Sequence, residues 1–136
     1  MKYEFTMIGD IVGKARPRMN TRTGRAYTPT KTKNYEYFLR ECFINEYPDF
    51  KTIETRVKVT IIAYFDIAKS TSKKKEAEML LQNVSPTKKP DIDNIVKIVL
   101  DAMNKFAFKD DTQVTKLEVE KKYAKIPSIY IKIEEY

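Results

Sequence analysis

One stretch, residues 93–105, limits the fold more than any other. Ile95, Val96, Ile98, Val99, Leu100, Ala102 and Met103, with Phe106 just beyond, cover most of a helical circumference there. Only Asn94, Lys97, Asp101, Asn104 and Lys105 are polar, and they recur at three- and four-residue steps. Such a helix must be packed on nearly every side, with one narrow polar stripe left free. A chain of 136 residues can build a single hydrophobic core around it. The helix also carries more apolar surface than one small sheet need cover, which hints at a partner, with burial by sheet and loops within one chain as the alternative.

Shorter periodicities supply the other elements. Residues 3–8 alternate, with Tyr3, Phe5 and Met7 on one face of a strand. Residues 32–46 place Tyr35, Phe38, Leu39, Cys42 and Phe43 at helical spacing, with Thr32 as cap and Pro48 past the end. Cys42 falls on the apolar stripe and belongs to the core. Residues 56–66 set Val57, Val59, Ile61, Ala63 and Phe65 on one face of a strand. Ile62 and Tyr64 on its other face predict a central strand covered on both sides. Residues 70–81 form a short basic helix capped by Ser70 or Ser72. Val114 to Tyr123 and Ser128 to Glu134 both alternate and lie close together, which predicts a hairpin. The order predicts one α+β domain over residues 1–136, with helices packed on a mixed β-sheet.

Charge narrows the partners. From Ile11 to Tyr35 there is no acidic residue, yet the window holds Lys14, Arg16, Arg18, Arg22, Arg25, Lys31 and Lys33. Without these seven, the 26 basic residues fall to the 19 that the 19 acidic residues cancel. The whole excess of +7 thus sits in one segment, as expected for a polyanion-binding arm, with a solvated loop as the bland alternative. Rich in Thr, Arg, Asn and Pro, it reads as a long excursion or ribbon.

Absences narrow the chemistry. No histidine excludes Ser-His-Asp triads and zinc–histidine sites, and a single cysteine excludes zinc fingers and disulfides. Carboxylate, lysine, tyrosine and metal remain. The lone thiol suits a reducing cytoplasm, no run of eighteen apolar residues is present, and the N-terminus alternates like a strand rather than a signal peptide.

Residues 88–97, Lys88-Lys89-Pro90-Asp91-Ile92-Asp93-Asn94-Ile95-Val96-Lys97, concentrate that chemistry. Pro90 keeps Lys89 extended, so a helix can begin just afterwards. In extended backbone Asp91 and Asp93 point to one side and can share one hard cation, although Asp at a helix start is also an ordinary cap. Lys97, one turn from Asp93, is placed either for a helical ion pair or for a phosphate. Asp110 and Asp111 open the next strand. They could be a simple turn, or a short return of the chain could bring one of them within reach of the first pair. Crowded carboxylates need a cation between them, and beside a basic arm they suit metal-assisted phosphodiester hydrolysis. An EF-hand fails, since Val96 replaces the turn glycine and Ala102 the terminal Glu. A P-loop fails at Ile8 and Ala15.

Lys89-Pro90-Asp91-Ile92-Asp93-Asn94, Lys97, Asp101-Ala102 and Lys109-Asp110-Asp111-Thr112-Gln113-Val114 closely resemble the RusA family of Holliday junction resolvases. Lys14-Ala15-Arg16-Pro17-Arg18, Ala26-Tyr27-Thr28-Pro29 and the Ser-Lys-Lys-Lys stretch resemble it too. The resemblance implies a homodimeric endonuclease, common in prophages, that nicks opposing strands of four-way DNA junctions. It implies Mg²⁺, with Mn²⁺ the alternative ion. It assigns the essential carboxylates to Asp91, Asp93 and Asp111, with Asp110 a weaker ligand candidate. Lys97 takes the place of the catalytic lysine, and Asp101 a supporting position. DNA contacts would come from Lys14, Arg16, Arg18, Arg22, Arg25, Lys31, Lys33, Lys88 and Lys89. Similar sequences often carry glycine at the end of the central helix. Here Asn104 is expected to take the left-handed position.

Overall fold

The computed structural model describes all 136 residues. The chain runs β1 (Lys2–Ile8), β2 (Arg18–Met19), β3 (Ala26–Tyr27), α1 (Thr30–Glu46), β4 (Val57–Phe65), α2 (Lys73–Leu80), α3 (Ile92–Met103), β5 (Val114–Tyr123) and β6 (Ser128–Glu135). A 3-10 turn at Asp111–Gln113 leads into β5. Four strands form a mixed sheet in the order β1-β6-β4-β5, and β2 pairs with β3 in a separate ribbon. The expected α+β domain is what the chain forms.

The core lies on one face of the sheet. Alternate residues of β4, from Val57 to Phe65, meet Ile129, Ile131 and Ile133 of β6 and Tyr3 and Phe5 of β1. Over them pack Tyr35, Leu39 and Phe43 of α1, and Ile95, Ile98, Val99, Ala102 and Met103 of α3. Those five α3 residues are fully buried within one protomer, and Val96 and Leu100 pack on the same cluster. The apolar surplus expected to call for a partner is therefore already covered by α1 and the sheet. Ile62 and Tyr64 are only half-buried, so β4 is central but helix-covered on one side, not two.

Two further expectations are corrected. β5 and β6 do not form a hairpin: β4 lies between them, parallel to β5 and antiparallel to β6. Neighbouring strands lie about 4.8 Å apart, so the four linking residues easily step over one strand. The most apolar strand thereby gains partners on both edges, while β5, rich in Lys and Glu, takes the exposed edge. Thr32 does not cap α1. The helix starts at Thr30 after Pro29, and Thr32 is buried inside it, where its hydroxyl accepts the Ala15 N–H.

β4, α3 and β5 make a crossover that fixes the site. The chain leaves β4 at Phe65, returns along α3, and enters β5 parallel to β4. The start of α3 therefore sits where β4 and β5 finish, and its end where they begin.

Candidate active site

Asp91 is the N-cap residue of α3 by position, with φ −68° and ψ 155°, yet its carboxylate makes no cap hydrogen bond. Its carbonyl accepts the Ile95 N–H at 3.1 Å, and the side chain is left exposed. Asp93 stands exposed in the first turn of the same helix. The capping explanation of the pair thus fails at Asp91. Lys97 is also exposed, and no carboxylate lies within 4.0 Å of its ammonium, so the helical ion pair with Asp93 is not formed.

The basic arm is pinned against this turn. The Lys14 N–H donates to the Asn94 carbonyl at 2.9 Å. A Cβ on Gly13 would lie 2.6 Å from the Pro90 Cβ and 3.1 Å from the Asn94 Cβ, so only glycine allows that approach. Lys14 itself bridges two helices, with its ammonium 2.6 Å from Glu36 Oε1 on α1 and 3.0 Å from Asp101 Oδ2 on α3. Desolvation pulls its pKa down, but hydrogen bonds to Glu36 and Asp101 outweigh that and hold it above the ordinary lysine value. Lys14 is an anchor of the arm, and its charge is already neutralised rather than free for phosphate. Asp101, expected in a supporting position, is its partner.

Beyond the anchor, Arg16, Arg18, Arg22, Arg25, Lys31 and Lys33 are all exposed. Arg18 and Lys31 join Lys89 and Pro90 around a cleft of about 330 Å³, immediately before Asp91. Lys88 and Lys89 also line a neighbouring cleft that holds Asp10 and Asp66. Wider grooves exist beside α1, one of them lined by Met7, Ile8, Tyr35, Phe38 and Cys42, but they hold none of the candidate residues.

Asp110 and Asp111 lie elsewhere. Asp110 caps the 3-10 turn: it accepts the Thr112 N–H at 3.2 Å and the Thr112 hydroxyl, while Gln113 Oε1 accepts the Asp110 N–H at 2.8 Å. Bonds from the Thr112 side chain, then from its backbone, hold Asp110 below the usual carboxylate range. Gln113 fastens the turn to the Ile53 and Thr55 carbonyls. Asp111 is exposed beside it. This turn precedes β5, at the far end of α3, whose 12 residues span about 18 Å. The short return does not bring Asp111 to Asp91 and Asp93, and no three carboxylates within one chain could hold one ion. The return also turns at a different residue: Asn104 is extended, and Lys105 takes the left-handed conformation at φ +67°.

The chain resembles known proteins over nearly its full length. The family model described as Endodeoxyribonuclease RusA matches residues 9–134. A protein of Bacillus subtilis (strain 168), "Uncharacterized protein YqaN", is 36% identical over 138 aligned positions, covering 97% of this chain and 95% of that protein. The match takes in the Asp91–Asp93 turn, the basic arm and the Asp110–Asp111 turn together.

Proposed function

Because the chain belongs to the RusA family of endodeoxyribonucleases, we propose that it is a homodimeric, divalent-metal-dependent nuclease that resolves four-way DNA junctions. The observation that carries this reading is the unbonded Asp91 carboxylate beside Asp93, next to a cleft walled by Arg18, Lys31 and Lys89. The donor set is entirely oxygen, and two carboxylates plus a substrate phosphate suit Mg²⁺, or Mn²⁺, better than a soft ion. When bound, the ion would supply Lewis acidity and an activated water.

The chain's own residues would do the rest. Asp91 and Asp93 hold the ion, and the free ammonium of Lys97 meets the scissile phosphate. Arg18, Lys31, Lys88 and Lys89 grip the backbone close to the cut, with Arg16, Arg22, Arg25 and Lys33 farther out. Asp110 is a weaker ligand than Asp111, because its Oδ2 already accepts from the Thr112 N–H and hydroxyl.

Asp111 enters from a second copy. Within one chain it stands at the wrong end of α3, but a two-fold axis can bring the Asp111 end of one protomer to the Asp91–Asp93 end of its partner. Each dimer then has two sites, matching the two nicks that junction resolution needs. A DNA substrate assigns the protein to the cytoplasm, in a bacterial or prophage-borne recombination or repair role.

The test is cleavage of four-way, three-way, flap and linear DNAs of equal length in Mg²⁺. Paired nicks in the four-way substrate, abolished by a chelator, are expected. No cleavage of branched DNA, or equal cleavage of the linear duplex, would overturn the assignment.

A further inference from the structure

The β2–β3 ribbon carries an aromatic ring with no partner. Four aromatic side chains of the molecule are exposed. Tyr37 and Phe38 pack edge to face on each other, and Tyr136 lies under Arg56 and Lys116. Tyr27, 46% exposed, has neither an aromatic neighbour nor a cation over its face, and it lies outside the core. Leaving such a ring in water gains nothing for the fold.

The ribbon holds Tyr27 in a defined direction. Arg18 pairs directly with Tyr27, and opposed residues of an antiparallel pair share a face. Arg18 lines the cleft with Lys31 and Lys89, and Tyr27, just outside that lining, shares the ribbon face of Arg18. The turn behind it is fixed by Asn20, whose carbonyl accepts the Gly24 N–H at 2.8 Å and whose side chain accepts the Arg22 N–H at 2.9 Å. Gly24 supplies the positive φ, +71°, that the turn needs. A free aromatic face held among phosphate-binding cations is the arrangement that stacks an unpaired base.

We propose that Tyr27 stacks on a base exposed at the branch point of the DNA, and so determines the preference for branched over continuous duplex. This rests on the branched-DNA reading above. In an intact duplex every base face is covered by its neighbours, so Tyr27 finds a partner only where stacking is interrupted. Cations alone bind phosphate whatever the branching. The ring supplies the discrimination they lack.

The test compares wild type, Tyr27→Ala and Tyr27→Phe in binding to a four-way junction and a linear duplex of equal length, in chelator so that neither is cut. Tyr27→Ala should weaken junction binding by roughly 5- to 150-fold, the range of one lost base–aromatic stack, and change duplex binding by less than twofold. Tyr27→Phe should keep wild-type affinity, and the salt dependence should be the same for all three, since no phosphate contact changes. A 2-aminopurine at the branch point should change fluorescence on binding wild type and Tyr27→Phe but not Tyr27→Ala. A wild-type protein that prefers the junction, with the preference intact in Tyr27→Ala, would overturn the stacking role alone. A wild type with no preference would overturn it together with the branched-DNA reading.

Discussion

At the level of single side chains, hydrogen bonding separates Asp110 from its neighbour Asp111. Asp110 accepts from the Thr112 backbone and hydroxyl, whereas Asp111 faces solvent. Asp111→Asn should reduce junction nicking at least ~100-fold and leave the melting temperature unchanged. Asp110→Ala should do the reverse: nicking is retained and the melting temperature falls, because the turn loses its cap. The pH dependence has a definite sign. Thr112 lowers the Asp110 pKa in the folded chain, so its contribution is complete above the usual carboxylate value and lost as pH falls through the lowered one. The gap in melting temperature between wild type and Asp110→Ala should therefore begin to narrow near about pH 4 and close as pH falls further. Thermal unfolding monitored across pH, alongside nicking rates, checks both halves. The sequence showed the acidic pair but not its division of labour, which depends on which oxygen the turn folds back upon. Lys14 shows the same limit. Its charge was legible, but not that Glu36 and Asp101, 22 and 87 positions away, would close around it.

Among the elements, α3 was the most readable and its exit the least. Its apolar circumference predicts burial, and Ile95, Ile98, Val99, Ala102 and Met103 are fully buried. The strands were equally legible one by one, since a period of two sets which face is buried. Their pairing was not: alternation is identical whether β5 and β6 touch or β4 separates them. Nor did the pattern locate the left-handed residue after α3. Asn104 looked the better candidate, but Lys105 takes that conformation. A side chain there costs roughly 1–2 kcal/mol, partly offset in glycine by its greater freedom when unfolded. Lys105→Gly should therefore raise stability by about 0.5–1 kcal/mol in urea unfolding, with the slope unchanged. A loss of stability would mean that the lysine side chain contributes contacts worth more than the relief of strain.

For the whole molecule, α3 acts as a spacer. It holds Asp91 and Asp93 at one end of the sheet and leads to Asp111 at the other. The sequence could not reveal this, because a return loop of given length can end on either side of a sheet. In the two-fold dimer proposed above, the Asp111 end of one protomer would meet the Asp91–Asp93 end of its partner and give two cutting centres at once. The most direct measurement uses two inactive chains, Asp93→Asn and Asp111→Asn, carrying different tags and co-purified as a mixed dimer. With carboxylates shared across the interface, one site of that dimer contains both substitutions and the other contains neither. The mixed dimer should therefore nick one strand of a four-way junction in Mg²⁺, while each variant alone stays inactive. A mixed dimer as inactive as its parents, beside a wild-type dimer that makes paired nicks, would contradict the shared site.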